Sequence, residues 1–121
     1  MFIDYENSKE YYENYTPCDC ELCNNYYSHV IDAYPKIKEY LESIGVDILK
    51  PFELSPIEDE EEQKIEYSGC QYVVFGECED NFKLEIDGIE FFNNIDTHPS
   101  DEEIIERHFI IDLGPIVLKW K

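Results

Sequence analysis

The sequence predicts an α+β fold in which two N-terminal helices pack on an antiparallel sheet of four to six strands. Three observations carry that expectation. Apolar residues recur at helical spacing between Pro17 and Ile44. The period shortens to two from Ile65 onward. Asp87-Gly88, set between two alternating runs, marks a tight hairpin. Helices first and strands afterwards make an α+β arrangement. The 121 residues fit a single domain, residues 1–121, because one domain holds roughly 100–200 residues. A chain of this size buries about two-thirds of its unfolded surface, enough for one core.

Residues 1–15 place Tyr5, Tyr11, Tyr12 and Tyr15 among acids and asparagines. A short strand near Phe2–Tyr5 and an irregular or helical piece after Ser8 both fit. Thr16 is a capping residue, Pro17 suits the first helical position, and Asp19 falls in the first turn, where the helix dipole favours a negative charge. Cys20, Cys23, Tyr27, Val30, Ile31 and Tyr34 form one stripe, so a helix is expected over 17–33. Pro35 breaks it and opens a second helix over 35–44, with Ile37, Tyr40, Leu41 and Ile44 on one face. Gly45 supplies the left-handed stop. Val46–Pro56 reads as a connector, and the acidic run Glu58–Glu62 as a solvated loop.

Ile65, Tyr67, Tyr72 and Val74 then predict a strand with Gly69 at a bulge. Phe82, Leu84 and Ile86, followed by Ile89 and Phe91, predict the two arms of the hairpin. Thr97–Pro99 ends that region, and Ser100 with Glu103 matches a capping box, predicting a helical turn over 101–106. Phe109–Leu113 makes a late strand. Gly114-Pro115 is expected to turn the chain into a last strand over Ile116–Trp120.

Nine Lys and Arg stand against 29 Asp and Glu, a formal charge of −20. Phosphate binding needs clustered cations, so direct binding to nucleic acid or to an anionic membrane is excluded as an expectation. The charge is also a location. Between Glu53 and Glu106, 18 acidic residues face only Lys64 and Lys83. With 43% hydrophobic and 15% aromatic residues, the chain departs from an acidic disordered tail. Its first residues have neither a basic region nor an apolar run, so no signal peptide is read there. A cytoplasmic location follows as the expectation, and in that compartment thiols stay reduced.

Five cysteines are an odd number and argue against a complete disulfide framework. Cys18-x-Cys20-x-x-Cys23 is the densest chemical feature. Zinc takes about four thiolate or imidazole ligands in a tetrahedron. Three are within local reach here, and Cys70, Cys78 or His29 are options for a fourth. The competing reading is packing, with Cys20 and Cys23 as small buried hydrophobes and Cys18 incidental. Free cysteine is among the most buried residue types, so packing is the commoner outcome. Redox chemistry ranks third, since Asp19 and Glu21 flank the thiols and negative neighbours raise a thiol pKa.

The segment Thr16-Pro17-Cys18-Asp19-Cys20-Glu21-Leu22-Cys23-Asn24-Asn25-Tyr26-Tyr27, with the helix ending near Ile44-Gly45 and the stretch Lys50-Pro51-Phe52-Glu53, resembles a group of small uncharacterised acidic bacterial proteins with an N-terminal C-x-C-x-x-C segment. That resemblance implies no activity and no catalytic residue.

His98, between Asp96 and Asp101, has the makings of a ligand or general base but reads more simply as a loop residue. Glu58, Asp59, Glu60, Glu61 and Glu62 lack the calcium-loop pattern. No phosphate-cradling glycine loop, nucleophile elbow or His-Glu-x-x-His is present. The leading expectation is therefore non-enzymatic. An acidic face, with Glu58–Glu62 as its binding residues, would steer a basic protein partner in the manner of inhibitor or immunity proteins, with solubility alone an equally weighted reading of the same charge. The alternative is a zinc-binding module on Cys18, Cys20 and Cys23.

Overall fold

Asp4 opens the first helix. Its carboxylate accepts the Asn7 N–H at 3.2 Å and the Asn7 side-chain amide at 2.7 Å, satisfying one of the free amides at the helix start. The computed structural model describes residues 1–96 and 106–120. In chain order the elements are β1 (Phe2–Ile3), α1 (Tyr5–Asn14), α2 (Glu21–Ala33), α3 (Pro35–Ser43), β2 (Glu53–Asp59), β3 (Lys64–Glu77), β4 (Lys83–Ile86), β5 (Ile89–Asn93), β6 (His108–Gly114) and β7 (Ile116–Lys119). His98 and the expected helical turn over 101–106 fall largely or wholly outside the described residues.

The α+β class holds, but the element count is corrected. The described residues form three helices rather than two, and a seven-stranded antiparallel sheet rather than one of four to six strands. The reasons are local. Helix α1 is polar along much of its length and carries no strong apolar stripe, because polar side chains do much of its anchoring. Strand β1 has two residues, too few to show a period. Strand β2 contains Pro56 and begins within the stretch read as a connector.

Pro35 sits at the start of α3, and Gly45 adopts φ +80° just past its end. A side chain on Gly45 would also meet Ser8 Cβ at 3.0 Å, so a glycine lets α1 close over the end of α3. Asp87 and Gly88 both have positive φ, 51° and 79°, as the two-residue hairpin between β4 and β5 requires.

Strand β3 is the axis of the sheet. β1 and β2 pair along one edge and β6 and β7 along the other, while β5 and β4 extend the sheet beyond β6. The pairing of β2 slips by one residue between Leu54–Cys70 and Pro56–Tyr67, which places the expected bulge at Ser68-Gly69. Its effect is visible in burial. Ile65 and Tyr67 face the helices before the bulge, and Cys70, Tyr72 and Val74 face them after it. Gly114-Pro115 does not turn the chain back. β6 pairs with Phe75 down to Cys70, and β7 continues along the same edge from Tyr67 to Lys64.

The main core lies between this face and the helices. Tyr26, Val30, Ile37 and Leu41 meet Ile65, Tyr67, Tyr72, Phe91, Ile111, Leu113 and Ile116, all with no exposed surface. Each such aliphatic or aromatic side chain contributes about 1.5–3 kcal/mol by leaving water. A smaller cluster of Val73, Phe75 and Ile110 packs on the other face with Tyr11 and Phe52.

Strand β2 follows β3 only as far as Gln71, where the Phe52 N–H donates to the Gln71 carbonyl at 2.7 Å. Beyond that point α1 covers the edge. Tyr12 Oη donates to the Val73 carbonyl at 2.6 Å, the Phe75 N–H donates to Ser8 Oγ at 2.9 Å, and the Asp4 N–H donates to the Phe75 carbonyl at 2.9 Å. The outer edge of β7 is treated alike. Tyr34 Oη accepts the Val117 N–H at 3.2 Å and approaches its carbonyl at 3.3 Å, and the Asn25 amide donates to the Lys119 carbonyl at 2.9 Å.

Ser8 is fully buried. Ser8→Ala leaves the Phe75 N–H without its acceptor and is expected to cost about 1–3 kcal/mol. Tyr34→Phe should cost less, since water can reach the Val117 edge. Urea unfolding of both variants checks the order, and an equal loss would contradict it.

Candidate metal centre

The loop between α1 and α2 sets the position of the cysteines. The sequence pattern placed a helix start at Pro17, whereas α2 begins at Glu21. Residues 15–20 instead carry the chain from the end of α1 to the start of α2. Cys20 is the cap residue, with an extended backbone at φ −67° and ψ 163°. Its sulfur accepts the Cys23 N–H at 3.4 Å, the place an oxygen usually fills at a helix start. One step earlier the Cys20 N–H donates to Cys18 Sγ at 3.4 Å. Two of the three sulfurs thus receive backbone N–H groups, an arrangement that favours negative charge on sulfur.

The three Sγ atoms lie within 4.8 Å of one another. Sulfurs on a tetrahedral zinc stand roughly 3.8 Å apart, given Zn–S bonds of about 2.3 Å. No pair of sulfurs here exceeds that spacing by more than about 1 Å. Cys18 and Cys20 are exposed and Cys23 is half-buried. The packing reading of Cys20 and Cys23 fails on this point, because neither is in the core. Cys70 alone among the five cysteines is fully buried, facing the helices from β3.

Neighbouring side chains hold the loop. Tyr27 Oη donates to the Cys18 carbonyl at 2.7 Å, the Asn24 amide donates to the Asp19 carbonyl at 2.9 Å, and Tyr67 Oη donates to the Leu22 carbonyl at 2.7 Å. These supports were not read from the sequence. For Tyr27 and Asn24 the signal was helical spacing from Cys20 and Cys23; Tyr67 is distant in the chain and left none.

The thiols differ in character. The Cys23 N–H aimed at Cys20 Sγ lowers the Cys20 pKa. Burial pushes the Cys23 thiol up to about 12, with the neighbouring sulfurs adding to the effect. Burial also raises Cys70.

None of the three options for a fourth ligand joins the group among the described residues. Cys70 points into the core, and Cys78 follows the far end of β3 from Tyr67. His29 is six residues past Cys23, roughly 9 Å along the helix axis. Glu58, Asp59, Glu60, Glu61 and Glu62 are all exposed at the tip of the β2–β3 hairpin. Asp59 accepts the Glu62 N–H, and Lys64 pairs with Glu62, but the five carboxylates form no ligand group. Among the described residues no helix is long and apolar enough to cross a membrane.

No protein-family model, curated protein or solved structure matches the chain. Of the resemblance read from the sequence, only the closely spaced Cys18-Cys20-Cys23 group is supported.

Iodoacetamide is expected to modify Cys18 and Cys20 of the folded, metal-free protein first, Cys23 and Cys78 more slowly, and Cys70 only on unfolding. Peptide mass mapping over time checks this order. Early labelling of Cys70 would contradict its burial.

Proposed function

We propose that this chain is a metal-binding module that holds zinc through Cys18, Cys20 and Cys23. The observation that carries the reading is the convergence of three thiol sulfurs within 4.8 Å on the surface. Soft sulfur donors select zinc, monovalent copper or iron–sulfur centres over hard cations, and of these zinc is the ion whose usual protein sites are built from cysteine thiolates with a histidine or a further cysteine. The start of α2 assists, because its free amides and positive dipole end favour thiolates. Bound zinc would fasten the Cys18–Cys23 loop to α2. It needs no movement of the core.

Protein purified without chelator is expected to contain close to one equivalent of zinc. A content below about a tenth of an equivalent would remove the reading. Cys18→Ser, Cys20→Ser and Cys23→Ser should each weaken zinc by at least about tenfold, while Cys78→Ser should leave it unchanged.

A second reading concerns the acidic hairpin tip as a docking site for a basic protein. The exposure of all five side chains, Glu58 to Glu62, supports it. Reversing Glu60, Glu61 and Glu62 to lysine should then weaken low-salt binding of polylysine several-fold. Unchanged binding by that variant would sink the docking role.

A further inference from the structure

Resting on the zinc reading, we infer that the fourth coordination position of the centre faces solvent and takes a neutral imidazole-type nitrogen donor from outside the cluster. Two sets of observations lead there. First, the polar side chains around the three sulfurs are already committed. Tyr27 Oη is spent on the Cys18 carbonyl, the Asn24 amide on the Asp19 carbonyl, and Tyr67 Oη on the Leu22 carbonyl. No further cysteine, histidine or carboxylate among the described residues joins the group. The half-buried Cys23 lies on the protein side, while Cys18 and Cys20 border solvent. A tetrahedral ion bound to these three sulfurs therefore keeps one position toward the outside, as three-ligand zinc sites do.

Second, charge selects what enters. A divalent ion with three thiolates carries a net single negative charge. Asp19 and Glu21, both exposed, flank the cysteines in the chain, and the whole chain carries −20. An incoming thiolate or carboxylate adds a second negative charge to a site already surrounded by them. A neutral imidazole adds none, and imidazole nitrogen with three thiolates is one of the standard zinc donor sets. Water is the weaker neutral competitor that it displaces.

Cobalt(II) reports directly on the donor set, because its visible bands shift with each ligand exchanged. In the full chain loaded with one equivalent of cobalt(II), imidazole is expected to shift these bands in a saturable, single-site manner. 2-Mercaptoethanol at the same pH should need a several-fold higher concentration for half its effect. Asp19→Asn with Glu21→Gln should narrow that gap. Bands that a large excess of imidazole leaves unchanged would mean that the chain closes the fourth position itself, overturning the inference while leaving the metal reading intact. A tighter response to the thiol would overturn the charge selection. Failure of the protein to take up either cobalt or zinc would overturn both readings together. Sedimentation of the loaded protein separates the sources of the donor. A dimer dispersed by free imidazole assigns a histidine of a second copy, and a monomer that responds to imidazole assigns a soluble donor.

Discussion

Strand β3 runs for 14 residues through the middle of the sheet and presents amide groups along both edges. Every buried N–H and carbonyl on those edges needs a partner, because leaving one dry costs as much as a lost hydrogen bond. Other strands satisfy most of them. Where a strand stops short, a helix supplies side chains in its place. Ser8 and Tyr12 of α1 reach Phe75 and Val73, and Asn25 of α2, with Tyr34 at its end, reaches Lys119 and Val117. This requirement fixes where α1 and α2 lie. It also gives polar residues of an otherwise weakly apolar helix a structural reason, and it covers edges that would otherwise invite pairing with another chain.

A second polar constraint runs through the core. Tyr26 and Tyr72 meet hydroxyl to hydroxyl at 2.6 Å, and Tyr72 donates to the Ile48 carbonyl at 2.7 Å. Burial raises both phenols well above their usual range, so they remain neutral donors. The chain of hydroxyls ties α2, β3 and the segment after α3 into one register. On the opposite face Asp112 is 7% exposed and accepts the Gln71 and Asn94 amides. Burial raises its carboxyl despite those two bonds.

What the sequence disclosed follows the same physics. Helix α3, the Asp87-Gly88 hairpin and the Gly69 bulge rest on local chemistry: a proline, a pair of residues tolerant of positive φ, and a break in alternation. All three were legible. Helix α1 was only half legible: a helical piece after Ser8 was one of two open readings, and nothing local chose it, because Ser8 and Tyr12 act on a strand more than sixty residues away and leave no local period. The colinear course of β6 and β7 was hidden for a related reason. Gly114-Pro115 looks like a turn in isolation, and only pairing with β3 holds the chain straight. At the cysteine segment the spacing was informative but the helix start was misplaced. A sulfur serving as cap does not stand out against Thr16 and Pro17, whose preferences are much stronger.

The three sulfurs come from six consecutive residues, Cys18 to Cys23. Loop-closure entropy for so short a span is small, and the donors stay near one another even when the rest of the chain is unfolded. A soft metal drawn to them would gain from folding only what the amides at the start of α2 add, and would stabilise the fold by no more than that, because binding that also occurs in the unfolded state adds little stability. The sheet, with its tyrosine chain and its covered edges, stands without help from that corner. Filling or emptying a metal site there would then leave the survival of the domain largely unchanged.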